Sequence, residues 1–91
     1  MVDFKLMFEN EDVREIVLFL SGRKKDGIPH PQLDGYCTTY GNNRISNIEL
    51  ISLVKDMREK GELIPNDKGG YKKGPNWKAP AFVTGKKYGI E

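Results

Sequence analysis

Apolar residues fall at helical spacing in three stretches of the chain, separated by glycine, proline and asparagine. The first is Val13, Ile16, Val17 and Leu20, which predicts a helix running to about Ser21. Asn10 is placed to cap it, Glu11 and Asp12 lie in a first turn that favours acids, and Gly22 is placed to stop it. Ahead of it, Phe4, Leu6 and Phe8 alternate with Lys5 and Met7, a period of two that predicts a short strand or extended lead-in. Asp26-Gly27 signals a turn, and Ile28-Pro29-His30-Pro31 reads as extended, because a proline disfavours helix in the residue before it. Pro31 also suits the first position of a second helix, with Leu33, Tyr36, Cys37 and Tyr40 on one face. Gly35 costs that helix about 1 kcal/mol relative to alanine, so a short helix ending at Gly41-Asn42-Asn43 is expected.

The third helix has the fullest set of signals. Ser46 and Glu49 have capping-box spacing, and Ile45 and Leu50 have the spacing of a hydrophobic staple. Leu50, Leu53, Val54 and Met57 make one stripe, which should face the core. Lys60-Gly61 supplies a positive last turn and a stop. Beyond it Leu63-Ile64 reads as a short strand and Pro65 to Gly70 as a turn. Tyr71 to Pro75 continues the loop, Ala81 to Thr84 reads as the return strand, and residues 85–91 form a tail.

The predicted order is helix, short helix, helix, strand, basic loop, strand, and it resembles a winged helix-turn-helix domain over about residues 10–84. The clearest local match runs from Leu53-Val54-Lys55-Asp56-Met57 through Arg58-Glu59-Lys60-Gly61 to Glu62-Leu63-Ile64. The resemblance implies an α+β fold, a three-helix core with a small antiparallel hairpin wing, in one domain spanning 1–91. It also implies a third helix in the major groove of DNA and a wing on the backbone or minor groove. By position, the outward face of that helix is Ile48, Glu49, Ile51, Ser52, Lys55, Asp56 and Glu59. Ser52 and Lys55, with Arg58 at the edge, are the residue types that contact bases. Glu49, Asp56 and Glu59 repel phosphates. For Ile48 and Ile51 two placements are open: packed in the core of a small domain, or exposed as an apolar pair suited to a protein partner.

Charge adds to the case for the wing. The net charge is +2, but residues 68–91 hold six lysines and one acid, a net +5, and residues 1–67 hold nine basic and twelve acidic residues, a net −3. A basic end on an acidic domain gathers positive potential where a polyanion or an acidic protein docks. Lys68, Lys72, Lys73 and Lys78 can neutralise phosphates, and Tyr71 can stack on bases. Trp77 can stack as well, or it can close the wing onto the core.

Other chemistry is sparse. The single Cys37 has no partner for an internal disulfide and no metal-ligand spacing with the single His30, and it reads as a small buried apolar residue. His30 lies between two prolines without a visible catalytic partner, and Gly69-Gly70 lacks the lysine-serine or lysine-threonine pair of a phosphate loop. The expectation is a cytoplasmic protein with no enzymatic activity, no cofactor, no metal and no membrane span. Its partner is nucleic acid, DNA in the leading reading, with Ser52, Lys55, Arg58, Lys68, Tyr71, Lys72, Lys73 and Lys78 at the interface and a regulatory role. The alternative is an inhibitor of the antitoxin or immunity type, docking a toxin or other protein through Ile48, Glu49, Ile51, Asp56 and Glu59. A subunit role in a larger assembly is a third possibility.

Overall fold

A computed structural model describes residues 1–41 and 44–90. Among them the chain is α+β: five helices and a three-stranded antiparallel sheet. The first helix, α1 (Phe4–Asn10), replaces the strand or lead-in expected there. The alternation misleads because Phe4 and Phe8 are four apart, a spacing that strands and helices share. Burial decides it: Met7 is fully buried, whereas Leu6 is 44% exposed. Asp3 caps α1 by accepting from the Leu6 N–H at 3.0 Å. Asn10 closes α1 instead of capping the next helix, and its amide donates to the Leu6 carbonyl.

Helix α2 (Val13–Gly22) begins at Asp12 and is the central element, with Ile16 through Ser21 all buried. Gly22 is its last residue, not a stop beyond it. Strand β1 (Ile28–Pro29) is followed at once by α3 (His30–Tyr40), so the extended segment ends at Pro29, and His30 and Pro31 are helical. Pro31 is tolerated there because first-turn N–H groups have no helical partner to lose. Leu33 and Cys37 are buried, and Tyr36 and Tyr40 pack beside Phe4 at ring separations of 4.8 and 5.5 Å. With 11 residues α3 is not short, and Gly35 lies exposed on it. Asn42 and Asn43, expected to end it, fall outside the described residues.

Helix α4 (Asn47–Glu59) carries both bonds of the capping box: Glu49 N–H to Ser46 Oγ at 3.2 Å, and Ser46 N–H to Glu49 Oε1 at 3.1 Å. Leu50, Val54 and Met57 are buried and Leu53 packs against the core. Each fully buried side chain of this size contributes about 1.5–3 kcal/mol. Gly61 takes φ +75°, a left-handed conformation that costs other residues more, and the chain turns into β2 (Leu63–Pro65).

The return strand is β3 (Gly70–Lys73), so Tyr71, Lys72 and Lys73 are strand and not loop. It pairs with β2 through Leu63↔Lys73, Ile64↔Lys72 and Pro65↔Tyr71, and with β1 through Ile28↔Tyr71 and Pro29↔Gly70. The sheet order is therefore β1-β3-β2. Ala81–Thr84 is not a strand but a short helix, α5. Four residues are too few for periodicity to separate the two, and Phe82 is drawn inward against Phe19 and Tyr88, with ring separations of 5.8 and 5.7 Å. The segment after α5 folds back on α1: the Asp3 N–H donates to the Tyr88 carbonyl at 2.8 Å and the Tyr88 hydroxyl to the Glu11 carboxylate. No described helix is long and apolar enough to cross a membrane.

Candidate functional site

Asn66 organises the connection between β2 and β3. Its Oδ1 accepts from the backbone N–H groups of Lys68 at 3.0 Å and Gly70 at 2.8 Å, an arrangement that asparagine favours in turns. Its Nδ2 donates at 2.8 Å to the carbonyl of Asp26, in the turn between α2 and β1. Gly27 in that turn has φ +82°, and a Cβ there would lie 1.8 Å from the Tyr71 carbonyl oxygen. The two turns are thus pressed together. Arg23, Lys24 and Lys25 are exposed and lead into this turn, but Arg23 faces away from the wing, its guanidinium 5.5 Å from the ring centroids of Phe4 and Phe19. Asp26, Asn66, Asp67, Lys68 and Lys72 line one small recess.

The remaining wing residues are dispersed. Tyr71 is half-buried and tied down, its hydroxyl 2.9 Å from His30 Nδ1. His30 Nε2 lies 3.1 Å from Asn47 Oδ1. An amide oxygen only accepts, so Nε2 carries a proton, and in the neutral ring Nδ1 accepts from the tyrosine. Burial pushes the Tyr71 phenol above its ordinary value, opposed by the Arg58 guanidinium, so the hydroxyl stays a donor at neutral pH. Tyr71 is therefore a strut linking α3, α4 and β3. Lys73 lies on the strand face opposite Lys72, with its ammonium 4.2 Å from the centroid of Trp77. Trp77 itself donates from Nε1 to the Leu18 carbonyl at 2.9 Å and packs on the core. Lys78 is exposed beyond the hairpin, in a recess shared with Lys60 and Glu62.

On α4, Glu49, Ser52, Lys55, Arg58 and Glu59 are exposed. Asp56 is half-buried and paired with Lys60 at 3.0 Å. Ile48 is 79% and Ile51 50% exposed, so neither belongs to the core. The structure thus sets Lys68 and Lys72 together and separates them from Lys73 and Lys78. It adds one group that sequence patterns do not reveal, the His30–Tyr71–Asn47 network. The Arg23-Lys24-Lys25 run is legible in the sequence, but the link between the turn that follows it and the wing depends on the Asn66 bond. Among the described residues, no three His, Cys, Asp or Glu side chains cluster closely enough to hold a metal ion. No protein-family profile matches this chain, and no curated protein or solved structure shows significant similarity to it.

Proposed function

We propose that the chain is a winged-helix protein that binds nucleic acid, with duplex DNA as its target. The sheet order β1-β3-β2, with α3 and α4 inserted between the first two strands in sequence, supports the winged-helix reading. The observation that carries the binding reading is the bond from Asn66 to Asp26, which ties the turn that follows Lys24 and Lys25 to the wing that carries Lys68 and Lys72. Lysine and arginine bonds to phosphates act irrespective of sequence. On α4, Ser52, Lys55 and Arg58 offer donors to base edges, but Ile48, Ile51, Glu49 and Glu59 surround them. Affinity on this reading comes mainly from the α2–β1 turn and the wing, with little sequence preference.

Fluorescence anisotropy with a short labelled duplex across about 50 to 200 mM salt tests the proposal. Affinity should fall steeply with salt. The Lys24→Ala/Lys25→Ala and Lys68→Ala/Lys72→Ala pairs should each flatten the logarithmic slope by about 0.9 for every phosphate they leave unneutralised. No detectable binding at the low end of the series would sink the reading.

A further inference from the structure

A cavity of about 340 Å³ lies where the end of α2, the turn into β1 and helix α3 meet. Leu20 and Ile28, both almost buried, give it an apolar lining. Arg23, Lys24, Gln32 and Tyr36 bring polar groups to it, and no carboxylate side chain lines it. Among the described residues neither Arg23 nor Lys24 is paired with an acid. The Arg23 guanidinium lies over the rings of Phe4 and Phe19, 5.5 Å from each centroid. These contacts position the charge without neutralising it. The carbonyl end of α2 supplies only about half an elementary negative charge, against two whole cations. The cavity is therefore a small, partly apolar recess with a net positive charge.

We propose that this cavity binds a small organic acid, with its carboxylate on Arg23 and Lys24 and a compact aromatic or aliphatic body against Leu20 and Ile28. A guanidinium pairs with a carboxylate through two parallel N–H bonds. The Gln32 amide and Tyr36 hydroxyl add donors and acceptors for a substituent on the body. Ligand pockets run from about 300 to 1,000 Å³, and this one stands at the lower end, which suits a small molecule. A neutral ligand leaves two cations uncompensated, an inorganic anion leaves the apolar lining in water, and an organic cation is repelled. Arg23 also borders a second cavity, of about 260 Å³, but it is the only charged residue lining that one, so the first holds a carboxylate better. Lys24 serves both this cavity and the proposed nucleic-acid surface, yet binding of the acid needs no duplex and is measured without one.

The test is amide-resolved NMR of the full chain, titrated at constant ionic strength with cinnamate as the aromatic acid and octanoate as the aliphatic one. At least one should give saturable shifts centred on Leu20, Lys24, Ile28 and Gln32. Its neutral counterpart, cinnamamide or octanamide, should bind more weakly by about tenfold or more, the equivalent of about 1.4 kcal/mol. Inorganic phosphate should not displace the acid. Arg23→Gln should weaken the acid by a similar factor. Gln32→Glu, at an exposed position on α3, sets a carboxylate beside the cations and should weaken the acid as much while leaving the amide unaffected. The same spectra show that both variants are folded. The proposal is overturned if neither acid gives saturable shifts at these residues, if the amides bind as tightly as the acids, if phosphate displaces the acid, or if both variants bind it unchanged. Shifts confined to Val2, Trp77 and Val83 would overturn it too, by placing the acid in the second cavity.

Discussion

Cys37 is 3% exposed, on the face of α3 that meets the core. Burial, reinforced by the Asp34 carboxylate, pushes its thiol from an ordinary 9.0 up to about 11. The folded protein therefore holds this proton more tightly than the unfolded chain does. Its contribution to stability is complete below about pH 9 and is lost as the pH climbs toward about 11, at about 1.4 kcal/mol per unit crossed. Tyr71 and Tyr88 are raised too, Tyr71 chiefly by burial and Tyr88 chiefly by its bond to Glu11, and both add to the loss above their ordinary range. Comparing urea midpoints of the parent and Cys37→Ala at about pH 7 and about pH 10 isolates the thiol: the advantage of the parent should shrink at the higher pH. An equal advantage at both values would show that the thiol does not titrate as its burial demands. Ser21 tests the opposite case, a polar group with nothing to gain from burial. It is fully buried in α2, and its hydroxyl has no hydrogen-bond partner among the described residues. Ser21→Ala removes an unsatisfied group and improves helix propensity, so urea unfolding should show a gain of about 1 kcal/mol or more.

Helix α4 owes its start to two bonds that are legible as Ser46 and Glu49 three residues apart. Ser46→Ala should destabilise the protein by about 1 kcal/mol, read as a lower urea midpoint at unchanged slope. The same legibility extends to the apolar stripes of α2, α3 and α4, because three or more turns of amphipathic helix leave a period that no strand reproduces. It fails where elements are short. In α1 the even spacing of Phe4 and Phe8 fits either period, and the deciding fact, Met7 inside and Leu6 outside, is a matter of tertiary packing. At Tyr71–Lys73 a polar, lysine-rich strand carries no alternation, and it is strand because β1 and β2 flank it on both sides. The candidate surfaces divide in the same way. Exposure of Ser52 and Lys55 follows from the wheel, whereas the role of Tyr71 as a strut requires His30, 41 positions away, to meet it.

At the scale of the whole molecule, the proposed nucleic-acid patch is an assembly, not a segment. Lys24 and Lys25 precede β1, Lys68 lies in the β2–β3 turn and Lys72 in β3, and the Asn66 amide bonded to the Asp26 carbonyl links the two turns. Asn66→Ala therefore separates geometry from charge. It changes no ionisable group, yet it removes the cross-link together with the acceptor for the Lys68 and Gly70 N–H groups. If the patch works as a unit, duplex affinity at low salt should fall severalfold, and amide exchange should quicken in both turns while α2 and α4 stay protected. The salt slope should fall with it, since phosphates once neutralised together would be met by one turn at a time. Unchanged affinity with faster exchange in both turns would mean that the lysines bind independently, wherever they sit. Lower affinity with unchanged exchange in the α2–β1 turn would place the defect in the wing alone and detach Lys24 and Lys25 from the interface. The exchange data are needed alongside the affinity, because only they show whether the two turns have come apart.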